Sequence, residues 1–399
     1  MCMLSELIFL FLFNLTYPFF NWLMYKLSIF SKNKYYHNIK YIITKNGPVF
    51  IKYTQLLLIR KKHLLTHNKK IFDMELINIL SKLENDIYIP KNKDYITINN
   101  KKIKIKDSYS ISSGSVAYIY EIYYNDQICI LKATHENIRT KIKNNIKLLK
   151  CYLFIFSCIN KLKVIIKSIK LDQFENLLLK QTDMKYESDN LQLFYNIFLP
   201  YEMVHIPKYI DHDQNNLIMT KEKGIKLYPF LDLNPNLNYE VVYLLYSSIH
   251  KMVSEGIIHG DFHQGNFLFY ESDNKVHLTI LDFGLIFKLT PEQSDIILNY
   301  LESYQNKYLV QLINTYGNHI DEKIDIKNIP KNDCKNPSLE KKTGNINRFI
   351  INYNVELPME IYNFISTIDF LKNLCNNIQL NRKNFSEQLS DYMIDNKFI

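Results

Sequence analysis

The segment His259-Gly260-Asp261-Phe262-His263-Gln264-Gly265-Asn266, with Asp282-Phe283-Gly284 beginning 16 residues after its last member, decides how this chain is read. Phosphoryl transfer needs one carboxylate to orient or deprotonate the acceptor. It also needs an amide oxygen and a second carboxylate to hold magnesium against nucleotide phosphates. Asp261 and Asn266, five residues apart, and Asp282 after a strand supply all three. One Asp or Asn in a loop is ordinarily a turn or a cap. Three on a single framework of helix, loop, strand, turn and strand form a constellation. That framework is legible here. Val241, Leu245, Ile249 and Met252 lie on one helical stripe that stops at Gly256, a C-terminal cap. Short strands follow at Asn266–Tyr270 and Val276–Leu281 around a polar turn.

Working upstream, the period changes to two between Ile111 and Lys132. Val116, Tyr118, Tyr120 and Ile122 alternate, Asn125-Asp126 makes a turn, and Ile128, Ile130 and Lys132 follow. The pattern predicts strand, tight loop, strand, hairpin, strand. Within it, Ser112-Ser113-Gly114-Ser115 is a loop whose backbone N–H groups could cover phosphates. Lys132 closes the strand Ile128-Cys129-Ile130-Leu131, where a kinase lysine meets the α- and β-phosphates. Such a lysine needs a carboxylate on a nearby helix to orient it. In the helix expected around Gln181–Phe194, Asp183 and Glu187 are spaced i,i+4 and share a face, and Glu187 is the expected partner of Lys132. Residues 136–196 read as mostly helical, and Ile206–Ile210 and Leu217–Thr220 as two more strands around Asp213-Gln214-Asn215.

Composition narrows the class. A chain of 399 residues matches two or three units of roughly 100–200 residues each. With 47% hydrophobic and 22% charged residues, it falls outside the disordered, collagen-like and polytopic membrane classes. The net charge of +9 is almost all lysine, since Arg60, Arg139, Arg348 and Arg382 are the only arginines. Scarcity of the guanidinium fork that grips guanine and phosphate argues against a nucleic-acid partner. The six cysteines form no CxxC pair, which leaves no zinc ribbon, redox motif or disulfide framework, and they are read as free thiols. Average usage would give roughly 28 glycines. There are nine, and the only alanines are Ala117 and Ala133. The small residues that remain are expected where backbone geometry or close approach demands them.

From Leu7 to Tyr25 the chain carries no formal charge and is rich in Phe and Leu. That stretch is long enough to span a bilayer and is read as a membrane anchor or hydrophobic targeting segment, with a buried or interfacial helix as the alternative. The lysines after it favour a main body on the cytosolic or matrix-like side. Residues from about Tyr41 to Asp86 read as helical with a break at Gly47-Pro48, Tyr88–Lys106 as a polar linker, and Asp321–Asn345 as an exposed basic loop.

The chain resembles the UbiB family, the AarF-domain or ADCK group of atypical kinases, from about Tyr41 to Leu289. The family's helical extension carries a Gly-Pro-x-Phe-Ile-Lys-x-Gly-Gln signature, and here Gly47-Pro48-Val49-Phe50-Ile51-Lys52-Tyr53-Thr54-Gln55 is similar to it. Gln181-Thr182-Asp183-Met184-Lys185-Tyr186-Glu187 resembles the Glu-x-Asp motif with its small-lobe helix glutamate, and Ser113-Gly114-Ser115-Val116-Ala117 the alanine-rich nucleotide loop. The resemblance implies ATP or ADP with Mg2+ as cofactors and Asp261 as the catalytic aspartate. It implies that Asn266 and Asp282 ligate the metal and that Lys132 and Glu187 orient the phosphates. Ser113, Gly114, Ser115 and Asp183 would lie at the nucleotide, with Lys52 and Gln55 facing the active site from the extension and restricting access by a peptide. Four departures stand out: Thr54 replaces a glycine, Gln181 replaces an acid, Gln264 stands where many members have proline, and Gly114 replaces an alanine.

The expected fold is α+β, a bilobal protein-kinase-like fold with a helical N-terminal extension packed on the active site. Its segments are 1–38 as the hydrophobic N-terminal part, 39–106 as the extension, 107–222 as a small lobe with a helical insertion, and 223–399 as a mostly helical large lobe. The family ties such chains to ubiquinone and related isoprenoid-lipid metabolism on mitochondrial or other organellar membranes. The implied partners are therefore a nucleotide, membrane lipids or isoprenoid-quinone precursors, and a lipid-biosynthetic protein complex. Two alternatives stay open. One is a catalytically weak nucleotide-binding scaffold, suggested by the altered extension motifs. The other is a small-molecule phosphotransferase, which shares the His-Gly-Asp-x-x-x-x-Asn loop but lacks the Gly47–Gln55 signature.

Overall fold

Local turn chemistry and strand alternation account for most of what the computed structural model contains. It describes residues 20–54 except 22, 74–83 except 82, 91–157, 171–317 except 304, 357–378 and 385–398. The chain divides into two compact units, 1–184 with 212–218, and 185–211 with 219–399.

In the first unit, helix α1 (Lys32–Lys45) starts at Ser31, whose hydroxyl accepts the Lys34 N–H at 3.3 Å. It ends where Asn46 turns its amide back to the Ile42 carbonyl at 2.8 Å and Gly47 takes φ +88°, a region that costs any residue with a Cβ. The chain then re-enters helix at 48–54. That helix buries Ile51 against Leu76, Leu80 and Leu83 of α2 (Met74–Ser81) and the turn after it, with Tyr36, Ile39 and Ile43 of α1 alongside. Its other face sends Val49 and Tyr53 into a second cluster. Burial on this scale is worth roughly 1.5–3 kcal/mol per aliphatic side chain.

The sheet of this unit runs β1 (Tyr95–Ile98), β2 (Lys101–Ser113), β3 (Ala117–Tyr124) and β4 (Gln127–Thr134), with residues 216–218 of β7 (Asn216–Thr220) along the far side of β4. Asn125 and Asp126 both adopt positive φ, 50° and 61°, the two-residue turn that matches strand twist. It sets the β3–β4 register from Tyr124↔Gln127 to Ala117↔Thr134. Helices α3 (Ile138–Ser157) and α4 (Leu171–Lys180) complete the unit.

Two expectations are corrected here. Residues 95–106 are not a linker: they form the β1–β2 hairpin, because Ile98, Ile103 and Ile105 are buried and the intervening lysines face solvent. Helix α5 (Met184–Phe198) begins at Met184, not near Gln181, so Asp183 lies in the turn before it and does not share a helical face with Glu187.

The second unit carries the rest of α5, then β5 (Val204–His205), residues 209–211 of β6 (Tyr209–His212), α6 (Leu227–Leu233) and α7 (Asn238–Ser254). Helix α7 ends as its periodicity predicts, with Gly256 at φ +71°. Strands β8 (Ile257–His259), β9 (Phe267–Ser272), β10 (Lys275–Ile280) and β11 (Ile286–Lys288) follow, then helices α8 (Pro291–Ser303), α9 (Asn306–Tyr316), α10 (Met359–Asn377) and α11 (Phe385–Asp395). A second two-residue turn, Asp273-Asn274 at φ 53° and 57°, closes the β9–β10 hairpin from Ser272↔Lys275 to Phe267↔Ile280.

Among the described residues no helix is long and apolar enough to cross a membrane. Most of the hydrophobic segment expected at 7–25 lies outside the described residues, as do Gln55 and the stretch 321–345. Asn21, near the segment's end, is buried, donating to the Tyr35 carbonyl and accepting from Asn38. Cys129, Cys151 and Cys375 are free thiols.

Candidate functional site

Two strand pairings in the second unit assemble the predicted constellation. β8 and β11 are antiparallel with His259 opposite Ile286, so the chain leaving β8 toward Asp261 passes the chain arriving at β11 from Asp282. Gly260 seals the crossing with an N–H bond to the Leu285 carbonyl at 2.7 Å. Its glycine is required, since a Cβ there would stand 2.5 Å from Leu285 Cγ and 2.6 Å from Phe287 Cε2. The β9–β10 hairpin then places Asn266, just before β9, beside the residues just after β10. The Leu281 N–H donates to the Asn266 carbonyl at 3.0 Å. A separation of 16 residues in sequence therefore becomes adjacency.

His259 is the hub of this arrangement. Its Nδ1 accepts the Asp261 N–H at 3.1 Å, which makes it the unprotonated nitrogen, and its Nε2–H donates to the Asp282 carbonyl. One neutral imidazole thus ties the backbones of both acidic residues. Burial lowers its pKa, against the pull of the two neighbouring acids, so the neutral form holds. Phe194, Phe262 and Phe283 surround it, with ring centroids 5.9–6.1 Å away. Asn266 donates its side-chain amide to the Asp261 carbonyl at 2.9 Å, closing the loop on itself. Asn190, on α5, donates to the Phe283 carbonyl at 2.9 Å and pins the Asp-Phe-Gly turn from behind. The Gly284 N–H donates to Asp282 Oδ1 at 2.9 Å. A Cβ on Gly284 would lie 3.3 Å from both Asp282 Oδ1 and Glu187 Oε2, so two carboxylates crowd around one glycine. Glu187 is fully buried.

In the first unit, Ser113 ends β2 opposite Tyr118, and Gly114, Ser115 and Val116 form the β2–β3 loop. Its shape is held by Gly114 N–H to the Ala117 carbonyl at 2.9 Å and by His135, whose N–H bonds Val116 and whose Nε2 donates to the Gly114 carbonyl at 3.0 Å. Burial lowers the His135 pKa, and the nitrogen facing Gly114 carries the neutral ring's proton. Gly114 is an exception to the expectation that glycines stay where they are required. A Cβ there would meet nothing nearer than 3.8 Å. Lys132 is buried on β4 opposite Ile119. The helix at 48–54 reaches this loop, because Val49 and Tyr53 pack in one cluster with Val116, Ala117, Ile138 and Phe174. Lys52 is half-buried on the same helix. The Gln181–Asp183 turn is held by Arg139, one of four arginines, which donates to the Thr182 hydroxyl at 3.2 Å and to its carbonyl at 3.4 Å.

The structure thus gathers Asp261, Asn266, Asp282 and Glu187 in the second unit, and the nucleotide-loop residues with the Lys52 helix in the first. Reading the sequence alone missed the holding residues His135, Arg139 and Asn190, and gave His259, though it opens the decisive segment, no role of its own. The scarcity of arginine could have flagged Arg139, while His135 and Asn190 carry no local signal.

Such an arrangement, on a curled antiparallel sheet, the β9–β10 hairpin and the β8–β11 pair among helices, is that of a kinase-like domain. The profile of the family described as ABC1 atypical kinase-like domain matches residues 104–314, more than half of the chain. The chain belongs to that family. A probable serine/threonine-protein kinase abkC of Dictyostelium discoideum is 26% identical over 186 residues, covering 45% of this chain and 27% of its own length. The ABC1 family protein YPL109C, mitochondrial, of Saccharomyces cerevisiae is 24% identical over 213 residues, 46% of this chain and 32% of its own. The chain therefore spans about a third or less of the length of these relatives. Among solved structures, the Rv3197-erythromycin complex from Mycobacterium tuberculosis covers 71% of this chain and 74% of its own, at 12% identity and a TM-score of 0.47, a likeness too loose to carry functional meaning.

Proposed function

We propose that this chain binds ATP or ADP together with Mg2+ and catalyses phosphoryl transfer, to an acceptor or to water. The observation that supports it best is the convergence of Asp261, Asn266 and Asp282 through the His259 tie and the β9–β10 hairpin. The donor set fits magnesium, with hard oxygens from the Asp282 carboxylate and the Asn266 amide, while the His263 Nε2 lies 3.4 Å from Asp261 Oδ1. Asn266 spends its N–H2 group on the Asp261 carbonyl, which leaves the side-chain oxygen as the atom that would accept a metal. Two carboxylates crowded at Gly284 favour a cation beside them.

Asn266 and Asp282 would hold the metal, which when bound would supply positive charge to offset the negative charge of the phosphates. Asp261 orients the acceptor hydroxyl and takes its proton. By resemblance to the UbiB family, Lys132 and Glu187 would take the roles of phosphate-contacting ammonium and orienting carboxylate, Asp183 would serve nucleotide binding, and the N–H groups of Ser113, Gly114 and Ser115 would cover the phosphates. By their resemblance to the UbiB signature, Lys52 and Gln55 would narrow access and disfavour a peptide acceptor. By its resemblance to UbiB-type proteins, and with a mitochondrial relative in yeast, the chain acts at a mitochondrial or other organellar membrane in isoprenoid-quinone or lipid metabolism.

The test is thermal stabilisation of the purified chain by ATP and ADP with and without Mg2+, for wild type and Asp282→Asn. A magnesium-dependent rise in Tm that Asp282→Asn abolishes is expected. A folded wild-type protein that no nucleotide stabilises would refute the proposal.

A further inference from the structure

The loop from Asp261 to Asn266 contains no lysine or arginine, yet a cation reaches it from 39 residues upstream. Lys226 Nζ donates to the Gly265 carbonyl at 2.6 Å. The delivery is built into the backbone. Gly224, one of only nine glycines, sits at φ +120°, where a Cβ would come within 2.9 Å of Leu268 Cβ and 3.0 Å of the Phe269 backbone. Close approach there lets Ile225 exchange two backbone hydrogen bonds with Phe269 on β9, at 2.9 and 2.8 Å. The next residue, Lys226, stands at the N-cap of α6 without capping it. Ser, Thr, Asp or Asn is preferred at that position, and a positive charge opposes the helix dipole. Local helix formation therefore gives no reason for a lysine, and the contact with Gly265 supplies one. The side chain is open to solvent but set among enough protein that desolvation lowers its pKa.

The carbonyl it holds belongs to the peptide that joins Gly265 to Asn266. The other side of Gly265 is held as well, its N–H donating to His263 Nδ1 at 2.9 Å, and the Asn266 N–H donates to the His263 carbonyl at 2.9 Å. We infer that Lys226 is a positioning residue, whose ammonium fixes the Gly265–Asn266 peptide and thereby aims the Asn266 side chain at its metal. This rests on the proposed magnesium-nucleotide function.

The experiment compares full-length wild type, Lys226→Met and Lys226→Arg by two readouts. One is the Mg2+ concentration that half-saturates the ATP-dependent rise in Tm. The other is hydrogen exchange over residues 261–270 in the nucleotide-free protein. Lys226→Met should raise the Mg2+ requirement about tenfold, the scale of one hydrogen bond from a charged group, and speed exchange in the loop. Lys226→Arg, which keeps the charge and the donors, should stay within about threefold of wild type. An unchanged Mg2+ requirement in Lys226→Met overturns the inference even if Tm falls or exchange quickens, because the lysine would then be a tether only. If wild type shows no magnesium-dependent shift, the proposed function fails first and the inference falls with it, whatever the exchange data show.

Discussion

Replacing His259 by Phe isolates what the hub contributes. The substitution keeps the ring's shape and its aromatic surroundings, Phe194, Phe262 and Phe283. What it removes is the acceptor for the Asp261 N–H and the donor to the Asp282 carbonyl. Leaving a buried backbone group unpaired costs about 1–3 kcal/mol, so the two together should cost roughly 2–6 kcal/mol. At about 2–4 °C per kcal/mol for a domain this large, Tm should fall by on the order of 10 °C. Urea unfolding should show a lower midpoint with an unchanged slope. The pH dependence gives a second reading. Burial depresses the His259 pKa, so below about 6.5 the unfolded chain takes up a proton that the folded chain refuses. The stability tied to this group is therefore complete above about pH 6.5 and is lost as pH falls toward the folded-state value. In His259→Phe that part of the acid sensitivity should vanish. A variant within about 0.5 kcal/mol of wild type at pH 7.5, with the same acid profile, would refute the claim that this ring ties the two acidic segments together.

Two further outcomes follow from the same geometry. Asn190→Leu keeps the buried volume but strands the Phe283 carbonyl, and should cost about 1–3 kcal/mol in urea unfolding while weakening magnesium-dependent nucleotide stabilisation. Gly47→Ala places a Cβ at φ +88° and 3.1 Å from Asn145 Nδ2, the group that donates to the Asn46 carbonyl at 2.7 Å. It should destabilise by about 1–2 kcal/mol; no loss in a thermal melt would show that the break between the two extension helices is not under this constraint.

Much of this protein is local and therefore legible. Asp261, Asn266 and Asp282 are recognisable because their spacing is set by a loop and a hairpin of fixed length. The β3–β4 hairpin announces itself through alternation and Asn125-Asp126, the end of α7 through Gly256. The β1–β2 hairpin was obscured by its lysines. Ile103 and Ile105 do alternate with them, but β1 is four residues long and is held by cross-strand partners rather than by its own composition. Strands β8 and β11, three residues each, carry no period of their own and exist only as a pair.

Taken alone, the sequence determined which residue types stand at the site and in what order, because spacing and periodicity are properties of neighbours along the chain. Tertiary structure alone decided how they are held. That His259 faces two backbones at once, that Gly284 brings two carboxylates together, that Arg139 grips Thr182 and that Lys226 returns to Gly265 all depend on contacts between residues far apart in sequence. Such contacts are fixed by the register of strands and by packing against neighbours, which no short window of residues encodes.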